Sequence, residues 1–240
     1  MGDLHEKDKK HMEDMPIVKN TFYTKFIKRL LDIFLSGIAI IILSPLYLVL
    51  ALLELIIHGR PILFAQERPG LHGKNFKIYK FRSMTNETDE NGELLPEEER
   101  VTKFGKLIRR LSLDELPELF CIFTGKMSII GPRPLLTRYV PLYTERHRMR
   151  QEIRPGFACV PLKPIQTWSW NDQFENDIWY IENCSFWVDV KMIFAVLREV
   201  VAGAEYRVTG VREEFNGKNL YSDARKGNIH ESSSNSPTSR

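Results

Sequence analysis

The chain has 240 residues, a formal net charge of +3 and a hydrophobic content of 43%. This length leaves room for one compact domain and an attachment segment, but not for two full domains. The mild positive charge suits contact with anionic headgroups or anionic substrates. No zinc-finger, P-loop or nucleic-acid-binding motif is present, so we expect no nucleic-acid partner. The cysteines, Cys121, Cys159 and Cys184, are odd in number and far apart, which predicts buried free thiols in a reducing compartment.

Composition divides the chain into four segments. Residues 1–24 are polar and predict a flexible arm, and residues 25–58 contain the one apolar run of membrane length. Residues 59–212 have the composition of a soluble catalytic domain, whereas residues 213–240 are polar and predict a largely disordered tail. A long charged leader precedes the apolar run and no small-residue cleavage site follows it. We therefore expect a permanent anchor and no cleavable signal peptide.

The apolar run does not resemble a simple transmembrane helix. Residues 33–53 carry no charge, but Ser44-Pro45 lies near their middle, where a proline removes a helical hydrogen bond. Each arm then spans about 15 Å, half of a hydrocarbon core of roughly 30 Å. Both flanks are basic, and the positive-inside rule places both in the cytoplasm. These features favour a re-entrant helix-break-helix in which Ser44 bonds a freed backbone group. The alternative is an ordinary kinked transmembrane helix.

The rest of the chain predicts a helix-rich α+β domain. PILFAQERPG and KNFKIYKFRSM predict two short strands, joined by a loop that contains Pro69, Gly70 and Gly73. Residues 86–100 are acidic and turn-rich and predict a mobile loop. Helices are predicted around KFGKLIRRL, DELPELFCIF, TRYVPLYTERHRMRQEI and VDVKMIFAVLREVVAG, the last ending near Gly203.

Two adjacent carboxylates, Asp114 and Glu115, lie at a predicted helix start in SLDELPELF. Pro117 is tolerated only in a first turn, so the helix would begin at Leu113 or Asp114, where free amides favour a carboxylate or a bound phosphate. The two side chains point about 100° apart on a helix and could divide their roles, one attacking or binding metal and the other orienting. The alternative is capping, because Ser112 and Glu115 match a capping box and Asp114 is itself a good N-cap.

Basic residues flank these carboxylates in the sequence. Arg133 lies between two prolines in GPRP, which would preorganise it for bidentate contact with phosphate, unless the loop is an ordinary surface turn. Lys80 and Arg82 alternate with Tyr79 and Phe81, and on a strand this gives one cationic and one apolar face. A strand edge kept soluble by charge would have the same pattern.

A third basic stretch contains Arg100, Arg109 and Arg110, although an ordinary basic helix face explains it equally well. Carboxylates, arginines and a membrane anchor together in a small protein indicate phosphate chemistry at a bilayer surface.

In these motifs the sequence closely resembles the bacterial sugar transferase family, the monotopic phosphoglycosyl transferases that start glycan assembly on polyprenol phosphate. The motifs that carry the resemblance, in the family's order and spacing, are KRLLDIFLSGIAIIILSP, FAQERPG, FKIYKFRSM, RVTKFGKLIRRLSLDELPELF, GKMSIIGPRPLL and EIRPG. WSWNDQFENDIWYIEN and EEFNGKN are similar to the small single-domain members. The resemblance covers residues 25–218 and favours the re-entrant and catalytic interpretations over their alternatives.

The resemblance implies a two-step reaction at the cytoplasmic face of the inner (plasma) membrane. Asp114 would attack the β-phosphate of a UDP-sugar and release UMP, and undecaprenyl phosphate or another polyprenol phosphate would then take the phosphosugar. Mg²⁺ would bridge Asp114 or Glu115 and the diphosphate, with Glu115 positioning the metal or assisting proton transfer. The break at Ser44-Pro45 would set the active site at headgroup depth in the phospholipid bilayer. The phosphate-binding candidates that the resemblance implies are Arg133, Lys80, Arg82, Arg100 and Arg109.

One segment departs from the family pattern. After Arg154-Pro155-Gly156 the family usually continues with Thr-Gly-x-x-Gln-Val-x-Gly-Arg, whereas this chain reads FACVPLKPIQT. Two alternatives therefore stay open: a catalytically impaired relative that acts as a membrane-bound scaffold in glycan assembly, and a hydrolase that releases sugar phosphate to water. The sequence is compatible with many sugars and with homo-oligomers.

Overall fold

The computed structural model describes residues 15–162, 169–202 and 213–221. A π-helical turn, Tyr23–Ile27, leads into helix α1, Lys28–Ile57. Among the described residues, one helix, Tyr23–Ile57, is long and apolar enough to cross a membrane. A small domain of short strands and helices follows it. The predicted helix-rich α+β class is therefore confirmed.

Pro45 lies inside α1, and helical conformation continues on both sides of it. Proline has no N–H, so the carbonyl of Ile41 loses its usual helical donor. The hydroxyl of Ser44 donates to that carbonyl oxygen at 2.8 Å. The predicted compensation by Ser44 is therefore confirmed, while the predicted break is a proline within one continuous helix and not a gap between two helices.

Helix α1 lies alongside the domain along most of its length. Near its start the guanidinium of Arg29 donates to the carbonyl oxygen of Phe123 at 2.7 Å. Past Pro45 the hydroxyl of Tyr47 donates to the carbonyl oxygen of Leu116 at 2.5 Å. These contacts are separated by about 27 Å of straight helix. One side of α1 is thus covered by the domain, and the opposite side exposes its apolar side chains.

The two acidic residues of α1 face the domain and are buried. The carboxylate of Asp32 accepts a hydrogen bond from the amide of Ile129 at 2.9 Å. The carboxylate of Glu54 lies 2.7 Å from Nδ1 of His58. Charged groups in a membrane segment need such partners, because lipid offers none.

The two predicted strands form an antiparallel pair. Strand β1, Leu63–Pro69, pairs with β2, Asn75–Phe81, so that Leu63 lies opposite Phe81 and Phe64 opposite Lys80. The predicted loop joins them and contains a short 3₁₀ turn, Leu71–Gly73, whereas Pro69 is the last residue of β1 and not part of the loop.

The acidic segment 86–100 contains more regular structure than the predicted mobile loop. The carboxylate of Asp89 accepts hydrogen bonds from the amides of Asn91 and Glu93, both at 2.9 Å. Helix α2, Glu97–Arg100, follows this turn. The turn is thus closed by the short side chain of Asp89, which reaches backbone amides two and four residues ahead.

The next two helices lie where the sequence predicts them, with one difference at the start of the second. Helix α3 is Lys103–Arg110, and helix α4 is Glu118–Phe123. The predicted start at Leu113 is the start of a 3₁₀ turn, Leu113–Glu115, and α4 begins only after Pro117. Ser112 has a left-handed backbone (φ 55°) and its side chain caps no helix, so the capping alternative is wrong.

The single helix predicted over residues 137–153 is wrong. The structure divides this segment into a 3₁₀ helix, Thr137–Leu142, helix α5, Glu145–Arg148, and a 3₁₀ turn, Met149–Gln151. Pro141 cannot donate a helical hydrogen bond. The hydroxyl of Thr144 then caps α5 by accepting from the amide of His147 at 3.2 Å, and a capped start replaces a continuous helix.

A short parallel pair and two longer helices complete the described domain. Strand β3, Ser128–Ile130, pairs in parallel with β4, Gly156–Ala158. Helix α6, Trp170–Asn183, precedes α7, which the structure describes over Phe186–Ala202. The predicted end of α7 near Gly203 lies outside the described residues. An aromatic cluster joins these parts and takes in one residue beyond the predicted domain end: Tyr139, Tyr143, Trp170, Phe174 and Phe215. All three cysteines are free thiols, as expected.

Candidate active site

One cleft of about 920 Å³ brings together all the catalytic and phosphate-binding residues predicted from the sequence. Its walls are β1 and β2, the turn that carries the paired carboxylates, and the GPRP loop. Its volume is in the range of sites that take small-molecule ligands. The predicted residues that line it are Asp114, Glu115, Arg133, Lys80, Arg82, Arg100 and Arg109.

Among the described residues, Asp114 is a carboxylate of this cleft that has no ion-pair partner. It is half-buried on the 3₁₀ turn. Burial and the neighbouring charge of Glu115 raise the pKa of Asp114, while Lys80 and Arg109 oppose that rise. Within the described residues, no other side chain donates a hydrogen bond to its carboxylate. Asp114 is thus a carboxylate among cations, bonded to its own backbone amide and to no other side chain of the described residues.

Glu115 has a different environment from its neighbour. Its Oε1 accepts a hydrogen bond from Nζ of Lys80 at 2.5 Å and another from the guanidinium of Arg133. Burial raises the pKa of Glu115, but the charges of Arg133 and Lys80 outweigh it and hold this pKa below its ordinary value. Glu115 therefore stays ionised and holds both cations in the cleft that contains Asp114.

Glu118 is a third carboxylate at this position, and the sequence analysis did not predict it. Its Oε1 lies 3.3 Å from Nζ of Lys80, and the residue is only 3% exposed. Burial raises the pKa of Glu118, with Lys80 opposing this effect and Glu115 adding to it. The sequence signal was available, because Glu118 follows Glu115 by three residues and so shares its helical face.

Arg68 is a cation of the cleft that the sequence analysis also missed. Its Nη2 donates to Oε1 of Gln66 at 2.6 Å, and both residues line the cleft on the same face of β1. Burial and the nearby charge of Arg133 lower the pKa of Arg68. Two guanidiniums close enough to affect each other make a site for a multiply charged anion.

The other predicted cations support the cleft wall through partners of their own. Nε of Arg109 donates to the hydroxyl of Ser83 at 2.7 Å, and its Nη1 pairs with Glu97 at 2.5 Å. Nε of Arg100 donates to a backbone carbonyl at 2.7 Å, and Arg82 donates to the carbonyl of residue 58. These three residues add positive charge to the cleft, whereas Lys80 and Arg133 directly contact the carboxylate of Glu115.

The GPRP loop is held by direct contact between two backbones. The amide of Gly131 donates to the carbonyl of Ala158 at 3.0 Å, and the amide of Gly156 donates to the carbonyl of Pro132 at 2.9 Å. A Cβ on Gly156 would lie 2.1 Å from the nitrogen of Gly131. Glycine is thus required here by close approach, which packs the RPG segment against the GPRP loop.

A buried ion pair between Arg150 and Asp177 also holds the GPRP loop. Nη2 of Arg150 donates to the carbonyl of Arg133 at 2.8 Å and to the carboxylate of Asp177 at 2.6 Å. The side chains of Arg150 and Asp177 are 4% and 2% exposed. The backbone of Arg133 is therefore fixed by α6 through a pair of charges that water does not reach.

The described residues contain no group of three or more His, Cys, Asp or Glu side chains arranged to hold a metal ion. Mg²⁺ commonly binds one or two carboxylates and completes its shell with substrate phosphates and water. The unpaired carboxylate of Asp114 fits that role. Glu115 fits it only if Lys80 and Arg133 release it. The magnesium ion stays a prediction, with Asp114 as its best ligand.

Comparison with known proteins gives consistent matches. A family model described as bacterial sugar transferase matches residues 23–203. The chain is 46% identical to the uncharacterized sugar transferase EpsL of Bacillus subtilis, over 66% of this chain and 80% of that protein. It is 34% identical to the exopolysaccharide production protein PSS of Rhizobium leguminosarum bv. phaseoli, over 74% of this chain and 96% of that protein.

Two further relatives are much longer than the region they share with this chain. The UDP-N-acetylgalactosamine-undecaprenyl-phosphate N-acetylgalactosaminephosphotransferase of Aeromonas hydrophila is 37% identical over 74% of this chain and 44% of its own length. The UDP-glucose:undecaprenyl-phosphate glucose-1-phosphate transferase of Klebsiella pneumoniae is 36% identical over 70% of this chain and 38% of its own length. The chain thus spans less than half the length of these two enzymes.

Proposed function

Because the chain belongs to the bacterial sugar transferase family, we propose that it transfers a sugar 1-phosphate from a UDP-sugar to polyprenol phosphate. The names of the Aeromonas and Klebsiella relatives specify a UDP-sugar and undecaprenyl phosphate. The observation that carries the proposal is the geometry of Asp114, an unpaired carboxylate in a cationic cleft beside a membrane helix. A diphosphate fits the charge of this cleft, and the acceptor is a lipid.

In the first step a carboxylate oxygen of Asp114 attacks the β-phosphorus of the UDP-sugar. The bond from that phosphorus to the oxygen bridging the two phosphates breaks, and UMP leaves with the bridging oxygen and its electron pair. The sugar phosphate is then held on Asp114 as an acyl phosphate. Total charge is conserved without a proton transfer, so the step needs an ionised carboxylate and no general base.

In the second step a phosphate oxygen of polyprenol phosphate attacks the same phosphorus. The bond between phosphorus and the oxygen of Asp114 breaks, and the carboxylate is restored. The product is a polyprenyl diphosphosugar, the starting point of a glycan. Because UMP leaves before the acceptor reacts, the kinetics are expected to be ping-pong.

Lys80 and Arg133 stabilise the charge that moves during both steps. Glu115 holds both cations in place before the substrate arrives, and this preorganisation reduces the cost of arranging them during reaction. Their remaining N–H groups can donate to the oxygens of the transferred phosphoryl group. When bound at Asp114 or Glu115, Mg²⁺ supplies further positive charge for the diphosphate and the departing UMP.

The proposal includes a monotopic, re-entrant topology at the cytoplasmic face of the inner membrane. Two observations support it. Contacts of Arg29 and Tyr47 with the domain lie on both sides of Pro45, which is difficult to combine with a helix surrounded by lipid along a full span. Lysine and arginine residues also flank both ends of α1, and the positive-inside rule assigns both to the cytoplasm.

The activity is tested with the protein in nanodiscs that contain undecaprenyl phosphate, in a buffer that contains Mg²⁺. A panel of UDP-sugars is added and UMP release is followed for wild type and Asp114→Asn, with Asp89→Asn as a control on an exposed turn. The account predicts acceptor-dependent UMP for wild type and the control, and none for Asp114→Asn. Sustained UMP release without acceptor would indicate a hydrolase. If no donor yields UMP, including nucleotide sugars extracted from cells, the result would favour the scaffold alternative.

A further inference from the structure

A second pocket, almost entirely apolar, lies directly behind the cationic cleft. It has a volume of about 470 Å³ and is formed between α1, β1, β2 and the start of α4. The rings of Tyr47, Phe81 and Phe120 line it in mutual contact, with centroid distances of 6.1 Å from Tyr47 to Phe81 and 5.7 Å from Tyr47 to Phe120. Phe120 is 46% exposed and Tyr79 is 38% exposed at its mouth. The pocket therefore opens outward and is not part of a closed core.

Strand β2 separates this pocket from the cleft. Because side chains alternate along a strand, Lys80 lines the cleft while Tyr79 lines the apolar pocket. Phe81 contributes to the walls of both. The predicted alternation therefore holds for Tyr79 and Lys80, which border different cavities, whereas Phe81 borders both and Arg82 lies beyond the end of β2.

The start of β1 provides an apolar path between the two cavities. Leu63 lines the pocket and Phe64 lines the cleft. They are 39% and 50% exposed, and they lie opposite Phe81 and Lys80 in the paired strand. A molecule with an anionic head and an apolar chain could therefore lie across this edge, its head beside Lys80 and its chain against Phe81.

The pocket also lies against the membrane helix. Ala51 and Tyr47 of α1 form one wall, and the hydrogen bond from Tyr47 to the carbonyl of Leu116 fixes that wall to the turn that precedes α4. An open apolar pocket of this size is unfavourable in water but not beside lipid chains. An occupant that reaches the pocket from the membrane is favoured over one that comes from solution.

We propose that this pocket, formed by Tyr47, Ala51, Tyr79, Phe81 and Phe120, binds the first isoprene units of the polyprenol phosphate acceptor. The inference rests on the proposed function, because it takes the acceptor from that proposal. It assigns recognition of the acceptor chain to a surface separate from the cationic cleft that binds the diphosphate. Changes in the pocket therefore alter use of the acceptor and leave reaction with the donor unchanged.

Two phenylalanines of α4 provide a matched kinetic test. Phe120 lines the pocket and Phe123 does not, and their side chains are 46% and 44% exposed. Phe120→Ala should raise the KM for polyprenol phosphate about tenfold and leave the UMP burst with donor alone unchanged. Phe123→Ala should change both by less than about twofold. Equal effects of the two substitutions, or an altered burst in Phe120→Ala alone, would overturn the inference.

Photocrosslinking tests the pocket without relying on transfer. A polyprenyl phosphate analogue with a diazirine in its first isoprene unit is irradiated with the protein in nanodiscs, without donor. Label on peptides containing residues 47–51, 79–81 and 117–120, displaced by undecaprenyl phosphate but not by added phospholipid, supports the inference. The label should be lost in Ala51→Phe, which fills the pocket, and kept in Leu48→Phe, whose side chain is exposed outside it.

The other occupants give different results in the same experiment. Equal displacement by phospholipid would mean that bulk acyl chains fill the pocket, and unlabelled pocket peptides in a protein that is dimeric in the nanodiscs would mean an interface between protomers. Either result overturns the inference. If no donor yields UMP but the label stays in the pocket, the proposed chemistry fails and the acceptor site stands.

Discussion

Nζ of Lys80 lies 2.5 Å from Oε1 of Glu115, and this ion pair connects strand β2 to the turn that carries Asp114. Lys80 thereby keeps a fixed positive charge near Asp114, with which it has no direct contact. Without this charge, burial and the neighbouring Glu115 would raise the pKa of Asp114 further. By fixing the position of Lys80, the ion pair therefore helps to keep Asp114 ionised.

A pH profile tests this link. Transfer requires ionised Asp114, so kcat/KM for the UDP-sugar falls as pH decreases through the pKa of Asp114. Lys80 lowers that pKa, and Lys80→Met therefore raises it and moves the acid limb to higher pH. Lys80→Arg keeps the charge and should leave the limb in place. An acid limb that does not move in Lys80→Met would contradict the electrostatic role of the lysine.

Arg133 should contribute more to donor binding and transfer than an arginine on the exposed surface does. Arg133→Gln removes a charged hydrogen-bond donor from the cleft and should lower kcat/KM for the donor about 10- to 100-fold. Arg138→Gln is the matched control, because Arg138 pairs with Glu214 outside the cleft and is 59% exposed. It should change kcat/KM by no more than about twofold. Equal losses in both variants would point to a general charge effect.

The buried pair of Arg150 and Asp177 should be important for stability. Asp177→Asn leaves the guanidinium of Arg150 buried without its counter-charge, and should cost about 3–5 kcal/mol. In thermal unfolding this corresponds to a Tm lower by roughly 10 °C. Glu175→Gln, which breaks a surface pair with Arg146, should cost no more than about 1 kcal/mol. A Tm close to that of wild type for Asp177→Asn would show that the pair is not required for folding.

Substitution by alanine should lower the stability of the protein much more at Gly156 than at Gly92. In Gly156→Ala the methyl would lie 2.1 Å from the nitrogen of Gly131, so β3 and β4 would have to separate and the GPRP loop would shift. We expect a cost of about 3 kcal/mol or more and a matching loss of transfer activity. Gly92→Ala adds its methyl where no described atom lies within 4 Å, and only its positive φ of 81° costs about 1 kcal/mol. Similar Tm values for the two variants would contradict the close contact.

The local elements of this fold could largely be predicted from the sequence. Alternation in residues 75–81 indicates β2, and the helical spacing of apolar residues in VDVKMIFAVLREVVAG indicates α7, because both signals depend only on neighbouring residues. Strands β3 and β4 could not be predicted in this way. Each has three residues, and their pairing depends on contact between segments that are far apart in the chain.

Helix α6 shows a different limit of the same approach. Its buried residues Trp170, Phe174 and Ile178 recur every four positions, but the buried face also contains Asp177 and the outer face contains Trp179, so the hydrophobic pattern is blurred. The signal that could have identified it is the capping box, in which Ser169 and Asp172 bond each other's backbone amides. A local cap was informative here where the hydrophobic pattern was not.

The candidate site was predictable where it lies in motifs and not where it depends on packing. Asp114 and Glu115 stand out in the sequence as adjacent carboxylates, yet their environments differ. One is open to the cleft and the other is held by Lys80 and Arg133. That difference is decided by the position of β2 and of the GPRP loop. Buried Glu118, which completes the contact with Lys80, depends on the same packing.

The most direct test of the account is the intact mass of the protein after incubation with Mg²⁺ and a UDP-sugar that yields UMP, without any acceptor. We predict a mass increase equal to one sugar phosphate, located on the peptide that contains Asp114, and its loss when polyprenol phosphate is added. Asp114→Asn should show no increase. An adduct on another residue, or UMP formed only with acceptor and never accompanied by an adduct, would contradict covalent transfer through Asp114.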